Sequence, residues 1–439
     1  MRWFWLLASA AVALRLLLVP FAGNLNLGSR PEVVTPVTSL RRLAEGYWLK
    51  QSSLSPYAGS MYHGSPLLLI MLGPLTVKRN DGEPTHIVCS LIFVLVDLCT
   101  ALLIRAIGQK LELTNRKSLK LLKLSKPSDS FGVDAADISS LIYLWNPFSI
   151  MTCLGSCTSP IDNLMVVLAI YGACSRIAPL AAFGWVMATH FSLYPAILII
   201  PVLLLFGYGP DAPPSKLFKE KSPHTTGSSV RILSWPPILQ FLVWAAIWFC
   251  YVLLLSIISL KGFDGLYEML KKTHGFILAV EDLSPNIGVM WYFFAEVFEF
   301  FRVFFLIVFH VNILYMISPL AIRLMHRPCF LAFVYIAISS MLKSYPSVGD
   351  AALYLSLLGL FANELAEMKF SFFLFCGYIG VSLLSPVMHN LWIWRGTGNA
   401  NFYFATGLAY TSLQTVLVVE SVSAMLNHDR MLRKELKKA

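Results

Sequence analysis

Two asparagines near the C-terminal end of the sequence are candidate ligand-binding residues. Asn399 and Asn401 close a run that also holds Gly396 and Gly398. In an extended backbone, residues two apart point the same way, so both carboxamides are expected to face one target. Each carboxamide can donate and accept a hydrogen bond, which suits sugar hydroxyls and phosphate oxygens. The alternative, from the residues alone, is a tight turn held by glycine and asparagine.

Polar residues in two other segments extend this candidate site. His389 and Asn390 lie shortly before the two asparagines, next to Trp392. Lys343 and Asp350 bracket a loop rich in small and polar residues, and this loop joins two apolar runs too closely to leave the membrane surface. We therefore expect both segments to lie near the same face as the asparagines.

A third polar group lies inside an aromatic run. Helical spacing would place Glu296, Glu299 and Arg302 in one i, i+3, i+6 row. Such a row cannot face lipid unpaired, so we predict a structural ion-pair row directed at a partner helix or the membrane interface. The alternative is that the two carboxylates form a general acid and base.

Ionisable groups inside other apolar runs predict pairing rather than metal binding. A charged side chain left in lipid costs at least about 2.5–3.5 kcal/mol, so Arg15 and Asp97 are expected to pair. His190 and His310 have no partner at metal-ligand spacing, and most of the eight cysteines lie in apolar runs. We predict no metal site, no disulfide framework, no cofactor and no catalytic residue in this chain.

Composition identifies the elements that must position these residues. The chain has 439 residues, of which 57% are apolar and 13% are charged, whereas a soluble domain carries about 25% charged residues. This excludes an ordinary soluble enzyme. Apolar runs of membrane-crossing length recur from Trp3 onward, which predicts an all-α polytopic membrane protein. The net charge of +10 does not indicate nucleic acid, because the basic residues collect in short loops between apolar runs.

Charge distribution predicts the topology of a single multi-span domain over 1–439. The basic loops at 105–137 and 208–235 and the tail at 426–439 are expected to be cytoplasmic. Lys216, in the second loop, is expected to contact phospholipid headgroups. Residues 23–64 form the first external, luminal loop in this prediction.

The apolar runs predict about twelve transmembrane helices in total. Residues 66–77 are too short for a clear span and predict an interfacial or re-entrant helix. The stretch 138–207 is long enough for four short crossings, and short or broken helices in a membrane usually line a cavity. Further spans are predicted at about 3–22, 86–104, 236–260, 290–322, 328–342, 350–364, 369–386 and 403–425.

Five blocks of residues, taken in their order along the chain, resemble those of a known protein family. They are Glu32-Val33-Val34-Thr35-Pro36, Ser55-Pro56-Tyr57-Ala58-Gly59, the segment 283–296 (LSPNIGVMWYFFAE), the loop 343–350 (KSYPSVGD), and Asn399-Ala400-Asn401-Phe402-Tyr403. In this order and spacing, from about residue 3 to 425, they resemble the PIG-U family, a subunit of the glycosylphosphatidylinositol (GPI) transamidase.

This resemblance implies a function in the endoplasmic reticulum membrane. The complex cleaves a C-terminal signal from a precursor protein and joins the new carboxyl to a GPI lipid. The nucleophilic cysteine belongs to a partner, and the implied partners are PIG-K, PIG-T, PIG-S and a GAA-type subunit. The chain itself would bind and present the lipid glycan, in contact with membrane phospholipids. The expected GPI-lipid-binding residues are Asn399, Asn401, His389, Asn390, Lys343 and Asp350.

A second resemblance concerns ancestry. Leu144-Trp145-Asn146-Pro147-Phe148, followed by Pro160-Ile161-Asp162-Asn163, looks like the Asn-Pro block of polytopic glycosyltransferases that use dolichol-linked mannose. This implies a glycosyltransferase-C-like scaffold. Those enzymes carry an acidic pair in the first luminal loop, whereas this chain has only Glu32 and Glu45, thirteen residues apart. The alternative functions are a dolichol-phosphate-mannose-dependent mannosyltransferase of the GPI pathway and a transporter, but neither the acidic pair nor inverted repeats are present.

Overall fold

A computed structural model describes residues 2–76, 86–122, 134–214 and 233–438. Lys216 and most of the loop 208–235 lie outside these residues. The described helices of at least seven residues are α1 (Arg2–Leu18), α2 (Leu40–Gln51), α3 (Pro66–Leu72), α4 (His86–Leu121), α5 (Ala135–Trp145), α6 (Pro147–Leu154), α7 (Ser159–Cys174), α8 (Ala178–Phe191), α9 (Ile199–Tyr208), α10 (Trp235–Ser259), α11 (Phe263–Leu270), α12 (Met290–Glu296), α13 (Glu299–Leu324), α14 (Pro328–Leu342), α15 (Val348–Leu358), α16 (Ser371–His389) and α17 (Ala400–Lys438).

The all-helical polytopic architecture is confirmed. Six helices in the described ranges are long and apolar enough to cross a membrane, and shorter apolar helices accompany them. The six long segments are Arg2–Phe21, Val88–Leu121, Trp235–Ser259, Glu299–Leu324, Ser371–Trp394 and Ala400–Lys437. The total of about twelve crossings stays a prediction, because length and composition leave the role of the shorter helices open.

Several predicted boundaries differ from the structure. Helix α4 does not end near residue 104 but continues to Leu121, because the Lys, Arg, Glu and Gln residues beyond Arg105 are good helix formers. The predicted external loop 23–64 contains α2, whose N-cap Ser39 accepts a hydrogen bond from Arg42 N. An additional break separates α5 from α6, where Asn146 caps a helix that begins with Pro147.

Close helix packing and a fully buried ion pair stabilise the core. A Cβ added to Gly172 would lie 2.5 Å from Ala181 N, and one added to Gly184 would lie 2.6 Å from Ala169 N, so α7 and α8 touch along small residues. The predicted pairing of Arg15 with Asp97 is confirmed. Arg15 Nε lies 3.4 Å from Asp97 Oδ2, with both side chains at most 1% exposed.

Loops meet at two opposite ends of the helix bundle. At one end, Val348 N donates to Glu32 O over 2.9 Å and Asp282 N donates to Tyr345 Oη over 3.0 Å. We call this the site end; it comprises the segments 30–38, 280–289 and 343–347. At the other end, Arg327 pairs with Asp429 over 2.6 Å. We call this the basic end; it comprises 105–122, 326–327 and 429–437, and α14 runs from it to the site end.

Candidate functional site

An apolar cavity of about 210 Å³ opens near the site end. Val33, Phe148, Met151, Ile287 and Val381 contribute to its apolar wall. They come from the segment 30–38, helices α6 and α16, and the loop before α12, so the bundle itself builds the cavity. A cavity lined in this way can hold a hydrocarbon chain.

The same cavity carries charged and polar groups at one side. Arg30, Glu32 and Ser385 line it there. Glu32 is buried, and its Oε1 accepts a hydrogen bond from Ser385 Oγ over 3.2 Å. The turn after Arg30 holds the segment in place, since Val33 N and Val34 N both donate to Arg30 O. The cavity therefore combines an apolar volume with a charged rim, as an amphipathic ligand requires.

Aromatic side chains from three elements form a cluster next to this rim. The aromatic cluster consists of Trp291 from α12, His389 from the end of α16, Trp392 just after it, and Tyr403 from the first turn of α17. Ring centroids are 6.1 Å apart for Trp291 and Trp392, 6.0 Å for Trp291 and Tyr403, and 5.2 Å for His389 and Tyr403. The cluster links the predicted residue His389 to the cavity, because Tyr403 approaches Ser385 and Glu32.

Three polar atoms of the aromatic cluster have no hydrogen-bond partner within the described part of the chain. They are Trp291 Nε1, His389 Nδ1 and Tyr403 Oη, and all three are buried. More than nine in ten buried polar groups in folded proteins are hydrogen-bonded, so unpaired groups together call for water or a ligand. Indole, imidazole and phenol groups of this kind can bond hydroxyl and phosphate oxygens while their rings pack against a sugar.

The expectation that Asn399 and Asn401 face one target is wrong. Asn399 Oδ1 accepts a hydrogen bond from Phe402 N over 3.2 Å, and α17 begins at Ala400. Asn399 therefore caps the helix, a role that asparagine strongly favours. Asn401 lies inside the helix, where two residues subtend about 200° around the axis, and it accepts a hydrogen bond from the Tyr292 hydroxyl. Of the two asparagines, Asn401 is the one that borders the aromatic cluster, because it bonds Tyr292, the residue next to Trp291.

Lys343 and Asp350 are paired as a unit at the site end. Lys343 Nζ lies 2.5 Å from Asp350 Oδ1, and Asp350 Oδ2 accepts from Ser347 N, which completes a capping box at the start of α15. Burial acts to lower the pKa of Lys343, but the carboxylates of Asp350 and Asp162 outweigh it and hold this pKa above its usual value. Lys343 is therefore a cation at neutral pH.

This pair lines a second, smaller cavity of about 40 Å³. Asp162 and Thr38 also line it, and Asp162 Oδ1 is buried without a hydrogen bond from any described residue. Residues 30–33 contribute to the apolar cavity, whereas residues 35–38 contribute to the smaller one. The structure thus places Lys343 and Asp350 at the same end as His389 and its neighbour Asn390, but in a separate polar cavity.

The predicted single helix through Glu296, Glu299 and Arg302 is wrong. Helix α12 ends at Glu296 and α13 begins at Glu299, with Val297 and Phe298 extended between them. Among the described residues, neither glutamate pairs with Arg302. The guanidinium instead donates to the backbone carbonyls of Val280, Ala279 and Phe294, over 2.9, 3.3 and 3.4 Å. These carbonyls lie at or near the C-terminal ends of short helices, where intrahelical donors are missing.

Comparison with known proteins identifies the family. The family model described as GPI transamidase subunit PIG-U matches residues 9–410. The chain belongs to the PIG-U family. It is 32% identical over 422 residues to the human GPI-anchor transamidase component PIGU, covering 92% of this chain and 89% of the human protein.

Fungal relatives have corresponding names. The GPI transamidase component GAB1 of Saccharomyces cerevisiae is 26% identical over 95% of this chain and 93% of its own length. The GAB1 homolog of Schizosaccharomyces pombe is 28% identical over 90% of this chain and 87% of its own length. The family description and the names of these relatives all refer to a component of the GPI transamidase.

Sequence reasoning missed part of the site of this PIG-U family chain. Arg30 and Ser385 had no signal of their own, since serine and arginine are common at membrane surfaces. Glu32, Trp291 and Tyr403 each lie inside a block that resembles the family, but the blocks do not reveal that their side chains meet. The burial of a carboxylate beside three unpaired ring groups emerges only when segment 30–38, α12, the end of α16 and the start of α17 are brought together.

Proposed function

We propose that this chain is a non-catalytic subunit of the GPI transamidase that binds the GPI lipid glycan at its site end. It presents this lipid for attachment to the C-terminus of precursor proteins, while a cysteine of a partner subunit performs the chemistry. The supporting observation is the apolar cavity that ends at Glu32 beside three unpaired ring groups. Such a site matches an amphipathic ligand with acyl chains, a phosphate and sugars.

The division of the cavity suggests how the lipid is oriented. The acyl chain occupies the apolar part, next to Phe148 and Val381, and the polar headgroup lies against Arg30 and the aromatic cluster. Arg30 offers a guanidinium suited to phosphate, whereas Trp291 and Tyr403 offer donors to sugar hydroxyls. Glu32 accepts hydrogen bonds from hydroxyls or from an ammonium group. The headgroup thereby supplies hydrogen-bond partners to the buried polar atoms that lack them.

In this proposal, the distribution of basic residues predicts that the site end faces the lumen. Arg105, Lys110, Arg116 and Lys120 lie on α4 toward the basic end, and the tail of α17 adds further lysines and arginines. Under the positive-inside rule the basic end faces the cytoplasm. The site end then faces the lumen of the endoplasmic reticulum, where PIG-K, PIG-T, PIG-S and the GAA-type subunit would meet the bound lipid.

A cavity-filling variant tests the lipid assignment. Val381→Trp should fill the apolar cavity, because Val381 lines it, whereas Ile379→Trp on the same helix points outward with 47% exposure and serves as the control. A tryptophan here would occupy volume that the acyl chain needs, so the GPI lipid retained by purified complex should fall on the order of tenfold, which corresponds to about 1.4 kcal/mol of binding free energy. Mass spectrometry of lipid per assembled complex measures this. Equal lipid content in both variants would refute the proposal.

A second variant separates binding from catalysis. Glu32→Gln keeps the shape of the side chain and should lower lipid retention and anchor attachment together by about 2- to 12-fold, the value of one hydrogen bond. Glu45→Gln, outside the cavity lining, should have no effect. A loss of attachment of 10²-fold or more at unchanged lipid content would indicate a missing acid or base and would favour the mannosyltransferase alternative.

A further inference from the structure

Helix α13 presents a polar residue where a lipid-facing helix should have none. Asn312 is the fourteenth of its 26 residues and is exposed. At 1.5 Å per residue, it lies about 18–20 Å from either end of the helix. In a hydrocarbon core about 30 Å thick, this position is close to the mid-plane. The buried residues of α13 are Ile313, Ile317 and Leu324, so Asn312 does not point into the bundle.

Two other polar side chains of α13, His310 and Arg302, bond backbone carbonyls of the described residues, whereas Asn312 does not. His310 Nε2 lies 2.9 Å from Leu278 O, and Arg302 donates to backbone carbonyls. In the described part of the chain, nothing hydrogen-bonds the Asn312 carboxamide. Acyl chains offer no donor or acceptor, so an amide at this depth stays unsatisfied unless another polar group covers it.

A second unsatisfied group lies on the same flank of α13. Pro319 is inside the helix and has no N–H, so the carbonyl of Tyr315 loses its usual donor. Val308, Asn312, Tyr315 and Pro319 follow each other at intervals of four, three and four residues and form one stripe along the helix. All four are exposed, Tyr315 to 73%. We call these four residues the Asn312 stripe.

We propose that the Asn312 stripe is the contact surface for a transmembrane helix of another subunit, which carries a hydrogen-bonding side chain at the depth of Asn312. Interhelical hydrogen bonds from such side chains join membrane helices. A partner helix packed along the stripe would also bring a hydrogen-bond donor within reach of the Tyr315 carbonyl that Pro319 leaves unpaired. The family's membership in a complex means that other subunits are available. The surface is separate from the apolar cavity, so the inference does not depend on lipid binding.

Site-specific photo-crosslinking in the assembled complex, within native membranes, tests this surface. A photo-reactive residue is placed either at position 312 or at position 314, whose Leu314 is 58% exposed but lies about 160° away around the helix. Position 312 should form an adduct with another protein subunit, and position 314 should label lipid. Lipid adducts alone from position 312, an adduct with a second copy of this chain, or equal subunit adducts from both positions would overturn the proposal.

Substitutions measure the contribution of the carboxamide. Asn312→Leu should reduce co-purification of the crosslinked subunit by roughly 3- to 20-fold, the range measured for hydrogen bonds between membrane helices. Asn312→Gln should retain it, and Leu314→Val should leave it unchanged. The folding of the chain itself should not suffer, since Asn312→Leu removes no internal bond. Unchanged co-purification of Asn312→Leu would show that the carboxamide bonds no partner.

Discussion

The buried tyrosines on α17 and its neighbouring helices differ in how their hydroxyls are bonded. The tyrosine network, consisting of Tyr354, Tyr378, Tyr410 and Gln414, lies inside the bundle, where Tyr410 also lines the apolar cavity. Tyr354 Oη is 3.2 Å from Tyr378 Oη and 3.3 Å from Tyr410 Oη, and it accepts from Gln414 Nε2 over 3.3 Å. Tyr403 lies seven residues before Tyr410, about 10 Å away along the helix. It is equally buried, but its hydroxyl bonds none of the residues that the structure describes.

This difference distinguishes two roles of buried polar side chains. A satisfied network stabilises one arrangement of helices, because breaking any member leaves the others unpaired in a low-dielectric interior. Unpaired groups add nothing to folding, and their desolvation is a cost that a ligand can recover. Buried polar residues in the core should therefore affect stability, and those of the aromatic cluster should affect binding.

The largest expected effect concerns the buried ion pair in the core. Arg15→Leu would remove the cation beside Asp97, whose Oδ1 accepts a hydrogen bond from the neutral Tyr143 hydroxyl over 3.0 Å. Removing one member of a buried ion pair costs about 3–5 kcal/mol. We expect the variant complex to be lost or to melt far below the parent in a detergent thermal-shift assay. Arg15→Leu combined with Asp97→Leu should recover much of this stability. A single variant that melts like the parent would show that the pair is not part of the core.

A pair of matched hydroxyl deletions tests the comparison directly. Tyr354→Phe should lower the free energy of unfolding by about 1–3 kcal/mol, since Gln414 loses an acceptor, while lipid bound per folded complex stays unchanged. Tyr403→Phe should do the opposite: the melting temperature stays constant, and lipid retention falls about 2- to 12-fold, the value of one hydrogen bond. Thermal shift and lipid mass spectrometry on the same preparations measure both. If the two variants behave alike, hydrogen-bond satisfaction does not distinguish core from site.

Sequence patterns predicted the helices better than they predicted the site. Apolar length alone located the long spans, because the bilayer imposes one thickness on every crossing helix. The pairing of Arg15 with Asp97 was predictable from the cost of leaving either charge in lipid. Helix starts were harder, since whether Asn399 caps a helix or points at a ligand depends on the conformation of the following residues. Glu32 and Tyr403 are 371 residues apart in the chain, and no periodicity encodes such a contact.

The smallest expected effect concerns Asn399, whose carboxamide caps α17 in the structure. Asn399→Ala removes the acceptor for Phe402 N, which should cost about 1 kcal/mol of stability. The first turn of α17 also carries Tyr403, so looser packing of this turn should slightly weaken lipid retention as well. Asn401→Ala removes no cap and breaks only the exposed hydrogen bond from the Tyr292 hydroxyl, so it should lower the melting temperature less than Asn399→Ala.

Asn399→Asp distinguishes capping from direct contact with the glycan. Aspartate is as good an N-cap as asparagine and favours the positive end of the helix dipole. An aspartate carboxylate cannot donate a hydrogen bond, however, and it repels a phosphate. If Asn399 acts through the cap, Asn399→Asp should restore both the melting temperature and the lipid content that Asn399→Ala loses. Restored stability without restored lipid content would mean that the Asn399 amide turns toward the ligand when lipid is bound.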